Sequence, residues 1–404
     1  MDGMPARVAM VSLHTSPAAQ AGTGDAGGMN VAILSLAGEL AARGVAVDLL
    51  TRANTEPGMR QLEPGVTLYE LAAGGTGALG KEDMAAVSDE FGEAVSALAA
   101  ERRYDILHAH YWLSGIAALP AALALDIPLV QSFHTVAAMK NRLSPPGTAP
   151  ESERRVRSEA YLASQANAIV VGSAAEATAL VEDVRAPAGS VWVVPPGVDV
   201  DLFRPNRRDA AHRIRAELSI APGVPVLAIA GRIQPLKDQA LAIRMLGRLR
   251  SDPGPVLVVA GEATPGDDSY LVGLHTIATE LGVADRVHFV GALARKELAE
   301  LLAMASLTLV PSHSETFGLV ALESAASGTP VVGYRSSGLM ESVAEGRSGV
   351  LVDSRDPADW AETVANLLAD ETELRALSES ARNHSLAHTW AVSATALLSI
   401  YGSL

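Results

Sequence analysis

The chain has 404 residues and no cysteine, and its 31 Lys and Arg against 46 Asp and Glu give a formal net charge of −15. This length predicts two domains. The missing cysteines exclude disulfides, thiolate metal sites and a cysteine nucleophile. The negative charge argues against a surface for nucleic acid or an anionic membrane. Since no apolar run reaches about 18 residues and the first residues predict a strand rather than a signal peptide, we expect a cytoplasmic α/β protein.

Short apolar runs alternate with helical patterns along the first half of the chain. Helices are predicted between these runs, for example over 29–44 and 82–103. Strands alternating with helices are typical of a parallel, doubly wound sheet. Residues 1–196 are therefore predicted to form a Rossmann-like domain. Its predicted strands cover residues 7–13, 45–50, 66–71, 104–110, 127–134, 168–173 and 191–195.

The segment PPGVDVDLFRP, residues 195–205, interrupts this alternation with three prolines and a glycine. The alternation then starts again, which predicts a second Rossmann-like domain over residues 197–385. Residues 386–404 predict a C-terminal helix that can pack back on the first domain. Strands of the second domain are predicted at residues 224–231, 255–261, 286–291, 307–312, 329–334 and 348–353.

The stretch GTGDAGGMN, residues 22–30, contains the spacing G-x-G-x-x-G. In a dinucleotide site these glycines follow the first strand directly, but here the strand ends near His14 and seven residues, TSPAAQA, intervene. Gly27 and Gly28 instead precede a predicted helix, where a phosphate can approach backbone N–H groups at the positive end of the helix dipole. The loop therefore predicts a phosphate site, with a loop that binds no ligand as the alternative.

Two motifs of the second half carry charged side chains after predicted strands. AGRIQPLK places Arg232 and Lys237 in a loop where two cations suit a diphosphate, although surface cations would give the same pattern. In PSHSETFGLVALESAASGTPVV, Glu315 comes before a predicted helix and Glu323 lies two turns later. Carboxylates accept hydrogen bonds from hydroxyls, so this pair can hold a sugar and a ribose.

Four further stretches complete a resemblance: HTSPAAQAGTGDAGGMN (14–30), HAHYWLSG (108–115), FHTVAAMKN (133–141) and PESERR (150–155). Over nearly its whole length the chain resembles the retaining GT-B glycosyltransferases of family 4, whose fold is two Rossmann-like domains that face a cleft. The first domain resembles the subgroup that acts on an inositol phosphate in mycothiol biosynthesis. The resemblance implies transfer of N-acetylglucosamine from a nucleotide diphosphate sugar, such as a UDP-sugar, to a small anionic acceptor. It implies no required cofactor, leaves room for Mg²⁺, and is compatible with a homodimer.

The resemblance also implies roles for individual residues. His134 would contact a hydroxyl of the transferred sugar near the reacting carbon, and it forms the catalytic group with Arg232, Lys237 and Glu315. The residues implied to bind the nucleotide sugar are Gly28, Arg232, Lys237, Glu315, Phe317, Gly318, Leu319 and Glu323. Those implied to bind the acceptor are Asp25, Asn30, Lys81, Tyr111, Thr135 and Arg155, of which the last four would hold its phosphate. We predict no metal site, because no carboxylate has ligand spacing to His14, His110 or His134.

Three departures from the family pattern lie on the nucleotide-sugar side. GEATPGDD (261–268) stands where a glycine pair is frequent, Ser336 and Ser337 replace a Gly-rich turn, and Leu293 replaces an arginine, although Arg295 follows. An antibiotic-pathway transferase of the same family therefore stays open. It would use another nucleotide sugar and an aminocyclitol or a small zwitterionic or thiol acceptor. A sugar-nucleotide epimerase and a sensor without activity also stay open.

Overall fold

Two parallel sheets, each covered by helices, organise the computed structural model, which describes residues 4–145, 148–205, 208–249, 253–263 and 268–404. The strands of the first sheet are β1 (Arg7–Ser12), β2 (Ala46–Arg52), β3 (Gly58–Glu63), β4 (Val66–Leu71), β5 (Ile106–His110), β6 (Leu129–Ser132), β7 (Ala168–Val171) and β8 (Val191–Val193). Those of the second are β9 (Val226–Ala230), β10 (Val256–Ala260), β11 (Val287–Gly291), β12 (Leu307–Val310), β13 (Val331–Tyr334) and β14 (Gly349–Val352). We call the two units the first lobe and the second lobe.

The strand order in the first sheet is β3-β4-β2-β1-β5-β6-β7-β8, and in the second it is β11-β10-β9-β12-β13-β14. Every pairing is parallel except that of β3 with β4, which is antiparallel. Each strand predicted from the sequence corresponds to an observed strand, while β3 was missed. Its residues GMRQLE are exposed except for half-buried Leu62, and they lack the apolar pattern of the buried strands.

Helices connect the strands and cover the sheets. In the first lobe these are α1 (Gly28–Ala41), α2 (Lys81–Ala86), α3 (Ser88–Arg102), α4 (Trp112–Leu125), α5 (Ala137–Leu143), α6 (Glu153–Gln165) and α7 (Ala174–Glu182). In the second they are α8 (Arg208–Glu217), α9 (Gln239–Leu246), α10 (Asp268–Glu280), α11 (Arg295–Met304), α12 (Leu319–Ala326), α13 (Leu339–Ser342), α14 (Pro357–Ala369) and α15 (Glu371–Ser385), and α16 (Trp390–Tyr401) follows. The single helix predicted over 82–103 is wrong, because it breaks at Val87, where the Ser88 hydroxyl donates to the Ala85 carbonyl.

The last helix, α16, packs against the first lobe although its sequence follows the second. Ala394, Leu397 and Ile400 share a hydrophobic cluster with Ile33 and Leu40 of α1. The Ser393 hydroxyl also donates to the Pro195 carbonyl over 2.6 Å. At this crossing a Cβ on Gly197 would lie 2.1 Å from the Trp390 backbone nitrogen, so only glycine fits there. The chain thus passes between the lobes twice, near residues 195–198 and 388–390. The domain boundary at residue 196 stays a prediction.

None of the described helices is long and apolar enough to cross a membrane.

Candidate active site between the two lobes

A cavity of about 430 Å³ lies where the carboxyl ends of strands from both sheets meet. Parallel α/β sheets bind ligands at this edge, because loops and helix N-termini converge there. Thirteen of the predicted site residues line the cavity: Asp25, Gly28, Tyr111, His134, Thr135, Arg155, Arg232, Lys237, Glu315, Phe317, Gly318, Leu319 and Glu323. The fold therefore brings together residues that are spread over 299 positions of the chain, from Asp25 to Glu323.

Asn30 is placed behind the glycine loop rather than in the cavity wall. Its side-chain oxygen accepts from the Gly27 backbone N–H over 3.0 Å, and its NH₂ donates to the Ser16 carbonyl over 2.7 Å. With 1% of its surface exposed, Asn30 holds the loop that begins α1. Its expected contact with the acceptor stays a prediction that this geometry does not favour. The side chain of Lys81 lies outside the described residues.

Gly28 is the first residue of α1, and α12 of the second lobe approaches it closely. A Cβ at Gly28 would lie 3.1 Å from Leu319 Cδ1, so any side chain at position 28 would require Leu319 to shift by a few tenths of an ångström. The first backbone N–H groups of a helix lack partners within the helix and attract anions. The N-terminus of α1 therefore directs the positive end of its helix dipole at the cavity, which favours a bound phosphate.

The cations on the second-lobe side are each paired with a carboxylate. Lys237 Nζ donates to Glu315 Oε1 over 2.6 Å, and the Ser312 hydroxyl donates to the same oxygen over 2.7 Å. Arg232 reaches Asp25 across the cavity, at 3.4 Å. These pairs compensate the charges inside the cleft, and a bound diphosphate can take the place of a carboxylate because it offers the cations more charge.

Arg295 makes a third such pair, with Glu323 at 2.5 Å, and its guanidinium lies 4.7 Å from the centre of the Phe203 ring. It lines the cavity, as does Leu293. Sequence reasoning noted Arg295 only as a neighbour of the departure at Leu293. The structure brings it to the carboxylate that was expected to hold the ribose.

Ser337, the second serine at the expected Gly-rich turn, fastens the loop that carries Glu315. Its hydroxyl accepts from the Glu315 backbone N–H over 3.0 Å and donates to the Glu315 carbonyl over 2.8 Å. Next to it, a Cβ at Gly338 would lie 2.2 Å from the Thr316 carbonyl oxygen. The glycine that the turn needs is therefore present, and the serine adds support to the Glu315 loop.

Arg155 is buried on the first-lobe side, with 3% of its surface exposed, and it is the centre of a group of polar contacts. Its Nη2 donates to both the carbonyl and the hydroxyl oxygen of Thr135, each over 2.8 Å, and its guanidinium lies 5.0 Å from the Tyr111 ring centre. Its Nε donates to Glu159 over 2.7 Å, and Nη1 lies 3.0 Å from Glu151. Of the four residues predicted for the acceptor phosphate, Thr135 and Tyr111 thus both contact Arg155.

Lys140, which sequence reasoning did not select, also lines the cavity and pairs with Glu151. Burial alone would raise the pKa of Glu151, but Arg155 and Lys140 lower it below its ordinary value. Glu151 is therefore an anion shared between the two cations. The sequence signal for Lys140 is its place in FHTVAAMKN, the segment that also contains His134 and Thr135.

Three histidines stack from the interior towards the cavity. The His110 ring stacks on His108 and on His134, and His110 Nδ1 lies 2.9 Å from His134 Nε2. Burial lowers the pKa of His134 to about 4, so the ring is neutral at pH 7. The Thr316 hydroxyl of the second lobe donates to the His134 carbonyl over 2.6 Å. His134, whose φ is +60°, is thereby fixed from both lobes.

The interior end of this stack is closed by α16. The Ser132 hydroxyl donates to the Val170 carbonyl, so it accepts from His108 Nε2–H over 2.9 Å. His108 Nδ1 is then unprotonated and accepts from the Tyr401 hydroxyl over 2.6 Å. In the described part of the chain, no group of three or more His, Cys, Asp or Glu side chains is placed to hold a metal ion.

Comparison with known proteins identifies the family. Residues 27–197 match the family described as "Glycosyl transferase 4-like domain", and residues 211–384 match "Glycosyl transferases group 1". A protein of Nocardia farcinica named D-inositol 3-phosphate glycosyltransferase is 40% identical over the whole chain and 90% of the relative. A protein of Stackebrandtia nassauensis with the same name is 41% identical over 98% of the chain and 91% of the relative.

The chain is a group 1 glycosyltransferase. Its fold is similar to that of sucrose-phosphate synthase from Thermosynechococcus elongatus, with a TM-score of 0.90, 28% identity and 98% of each chain covered. The Anabaena protein HepE, solved with UDP and glucose, has the same fold at a TM-score of 0.79 and 22% identity, covering 98% of this chain and 99% of its own. The predicted fold class, GT-B with two doubly wound domains, is confirmed.

In the glycosyltransferase, we predict that His110 positions His134. Replacing His110 with phenylalanine keeps the stacked ring but removes the hydrogen bond at 2.9 Å. Misplacement of a group that contacts the reacting sugar, as His134 is expected to do, costs rate rather than affinity. We therefore expect kcat to fall about tenfold or more, while the affinity for a free nucleoside diphosphate stays unchanged. Steady-state kinetics and titration calorimetry measure the two effects.

The variant His110→Gln can restore the hydrogen bond and should recover most of the rate. Equal losses in both variants would contradict this role.

Proposed function

We propose that the glycosyltransferase transfers N-acetylglucosamine from a nucleotide diphosphate sugar to an inositol phosphate, with retention of the anomeric configuration. One observation carries this proposal: buried Arg155, with its contacts Thr135 and Tyr111, lines the same cavity as Arg232, Lys237 and Glu315. Two anion sites in one cavity suit a diphosphate on one side and a phosphate monoester on the other. The relatives named D-inositol 3-phosphate glycosyltransferase support this acceptor.

The nucleotide sugar would lie mainly against the second lobe. Its diphosphate would be held by Arg232, Lys237 and the N-terminus of α1 at Gly28. Glu323 and Arg295 would bind the ribose side, where the carboxylate accepts from hydroxyls. Glu315 and the backbone of residues 317–319 would contact the transferred sugar.

Retention would follow from a reaction on one face of the sugar. The acceptor oxygen forms its bond to the anomeric carbon while the bond from that carbon to the diphosphate breaks, and the diphosphate takes the acceptor proton. Lys237 and Arg232 would stabilise the charge that develops on the leaving diphosphate. Neutral His134 would hydrogen-bond a sugar hydroxyl, and the closed cleft would keep water from the reacting carbon.

A second candidate is favoured by the carboxylates around the acceptor group. Glu151 and Glu159 compensate the charges of Arg155 and Lys140 in the described structure. A site in which positive and negative side chains balance one another also suits an acceptor that carries a positive and a negative group. An antibiotic-pathway transferase with an aminocyclitol or small zwitterionic acceptor would use the same residues, with a carboxylate in place of the phosphate.

A mass-spectrometric transfer assay separates the two candidates. The chain is offered 1D-myo-inositol 3-phosphate, unphosphorylated inositol or an aminocyclitol with UDP-, GDP- and TDP-sugars, with and without EDTA. We expect product with UDP-N-acetylglucosamine and the phosphate acceptor, and an α-linked product by NMR. Product only with another sugar or only with the aminocyclitol would reject the proposal and select the second candidate. Loss of product with EDTA would establish a need for a metal such as Mg²⁺.

A further inference from the structure

Glu176 is a buried carboxyl group in the wall of the cavity. It lies in the first turn of α7, lines the cavity, and exposes 1% of its surface. Charged side chains are buried to this degree only where they are paired or serve a function.

Helix capping accounts for one of its two oxygens. Ser173 and Glu176 have the spacing of a capping box, in which the carboxylate returns to the backbone N–H of the serine. Here the Ser173 hydroxyl does accept from the Glu176 N–H, over 3.1 Å, but Glu176 Oε2 accepts from the Gly172 N–H instead, over 3.0 Å. Among the described residues, Oε1 has no hydrogen-bond partner, although it is buried.

An unpartnered carboxylate oxygen is costly in this environment. The pKa of Glu176 is raised to about 7, mainly by burial and to a smaller extent by the nearby carboxylates Glu159 and Glu341, while the hydrogen bond from the Gly172 N–H opposes the rise. No described cation contributes to this balance. The group that would compensate Oε1 is therefore a hydrogen-bond donor without negative charge, and a sugar hydroxyl has this chemistry.

Glu176 lies at the junction with the loop expected to hold the transferred sugar. Gly172 donates its backbone N–H to Glu176. A Cβ on Gly172 would lie 3.7 Å from Phe317 and 3.4 Å from Pro196. Glu341 of the second lobe accepts from the N–H groups of Ala174 and Ala175, over 2.9 and 3.2 Å. The first turn of α7 is thus fixed against the second lobe, beside Phe317.

We propose that Glu176 is a sugar-binding residue, with Oε1 accepting a hydrogen bond from a hydroxyl of the transferred sugar. The inference rests on the proposed function, because it takes the loop at Phe317 as the sugar site. Beside His134, Glu176 would be a further first-lobe contact to a sugar that is otherwise held by the second lobe. A carboxylate here would also repel phosphate, which directs the diphosphate towards Arg232 and Lys237.

The test compares binding of a free nucleotide with binding of the same nucleotide carrying its sugar. Titration calorimetry first selects, from UDP-, GDP- and TDP-sugars, the one that the wild-type chain binds most tightly. For Glu176→Ala we expect affinity for that nucleotide sugar to fall about tenfold to a hundredfold, with affinity for the free nucleotide unchanged. Glu176→Gln keeps the bond from the Gly172 N–H and places an NH₂ group at the Oε1 position; because that group can donate to the oxygen of the same hydroxyl, the variant should lose less.

Glu182→Gln, at the exposed end of the same helix, is the matched control and should change neither affinity. Equal losses for nucleotide and nucleotide sugar in the Glu176 variants would assign Glu176 to the structure of α7 and overturn the inference. Unchanged affinity for both ligands in variants with wild-type thermal midpoints would overturn it as well. If the selected sugar is not N-acetylglucosamine, the proposed function fails in its donor, while the comparison for Glu176 remains decisive.

Discussion

Replacing Lys237 with alanine is expected to lower kcat for sugar transfer by about a hundredfold to a thousandfold. Lys237 Nζ is 2.6 Å from Glu315 in the cavity, at the place where the leaving diphosphate would accumulate charge. Removal of such a group affects the transition state more than the ground state, so kcat should fall more than the affinity for the nucleotide sugar. Steady-state kinetics with saturating acceptor measures the effect.

The same substitution should leave the fold intact. The Lys237 side chain is 23% exposed, and its partner Glu315 keeps the hydrogen bond from the Ser312 hydroxyl. We therefore expect the thermal midpoint to change by a few degrees at most, measured by calorimetry. Lys296→Ala, an exposed lysine of α11, is the control and should retain wild-type kcat. Near-normal turnover of Lys237→Ala would reject the role of Lys237 as a catalytic residue.

The two sheets could be predicted from the sequence because buried parallel strands are continuous apolar runs. The four central residues of β1, VAMV, have no exposed surface, and runs of the same kind mark the other central strands. Loops after such strands meet at one edge, so the positions of Arg232, His134 and Glu315 near strand ends already indicated a shared site. The edge strand β3 gave no such signal, because five of its six residues are exposed and they include no apolar run.

The contacts that fix the site geometry could not be predicted, since they join distant positions of the chain. Thr316 to His134, Arg232 to Asp25 and Tyr401 to His108 span 182, 207 and 293 residues. No local pattern encodes such pairs, which follow from how the lobes and α16 pack. For Asn30 the motif could be identified from the sequence but the direction of the side chain could not. Its hydrogen bonds with Gly27 and Ser16 direct it towards the glycine loop.

Arg155 is the residue whose loss should most strongly affect the use of an anionic acceptor. A buried guanidinium that Thr135 and Glu159 already orient presents a fixed positive charge to a phosphate. We expect its removal to lower kcat/KM for 1D-myo-inositol 3-phosphate by about a hundredfold or more. The affinity for the nucleotide sugar should stay unchanged, because the donor cations lie on the other side of the cavity.

A single substitution of Arg155 would change acceptor binding and the free energy of unfolding at the same time. It would leave Glu159, which is 1% exposed, as an unpaired buried carboxylate, and breaking a buried pair costs about 3–5 kcal/mol. The double variant Arg155→Met/Glu159→Gln removes both charges and should unfold closer to the wild-type temperature than Arg155→Met alone. Glu159→Gln alone serves as the control for the neutral glutamine.

The informative measurement is the ratio of kcat/KM for the phosphorylated acceptor to that for unphosphorylated inositol. If Arg155 binds the phosphate, the double variant loses activity towards the phosphorylated acceptor and keeps its low activity towards inositol, so the ratio collapses towards one. If Arg155 only holds α6 against Thr135, both activities fall together and the ratio is preserved. A preserved ratio would reject Arg155 as the phosphate ligand and assign that role to Lys140, which shares Glu151 with Arg155 and lines the same cavity.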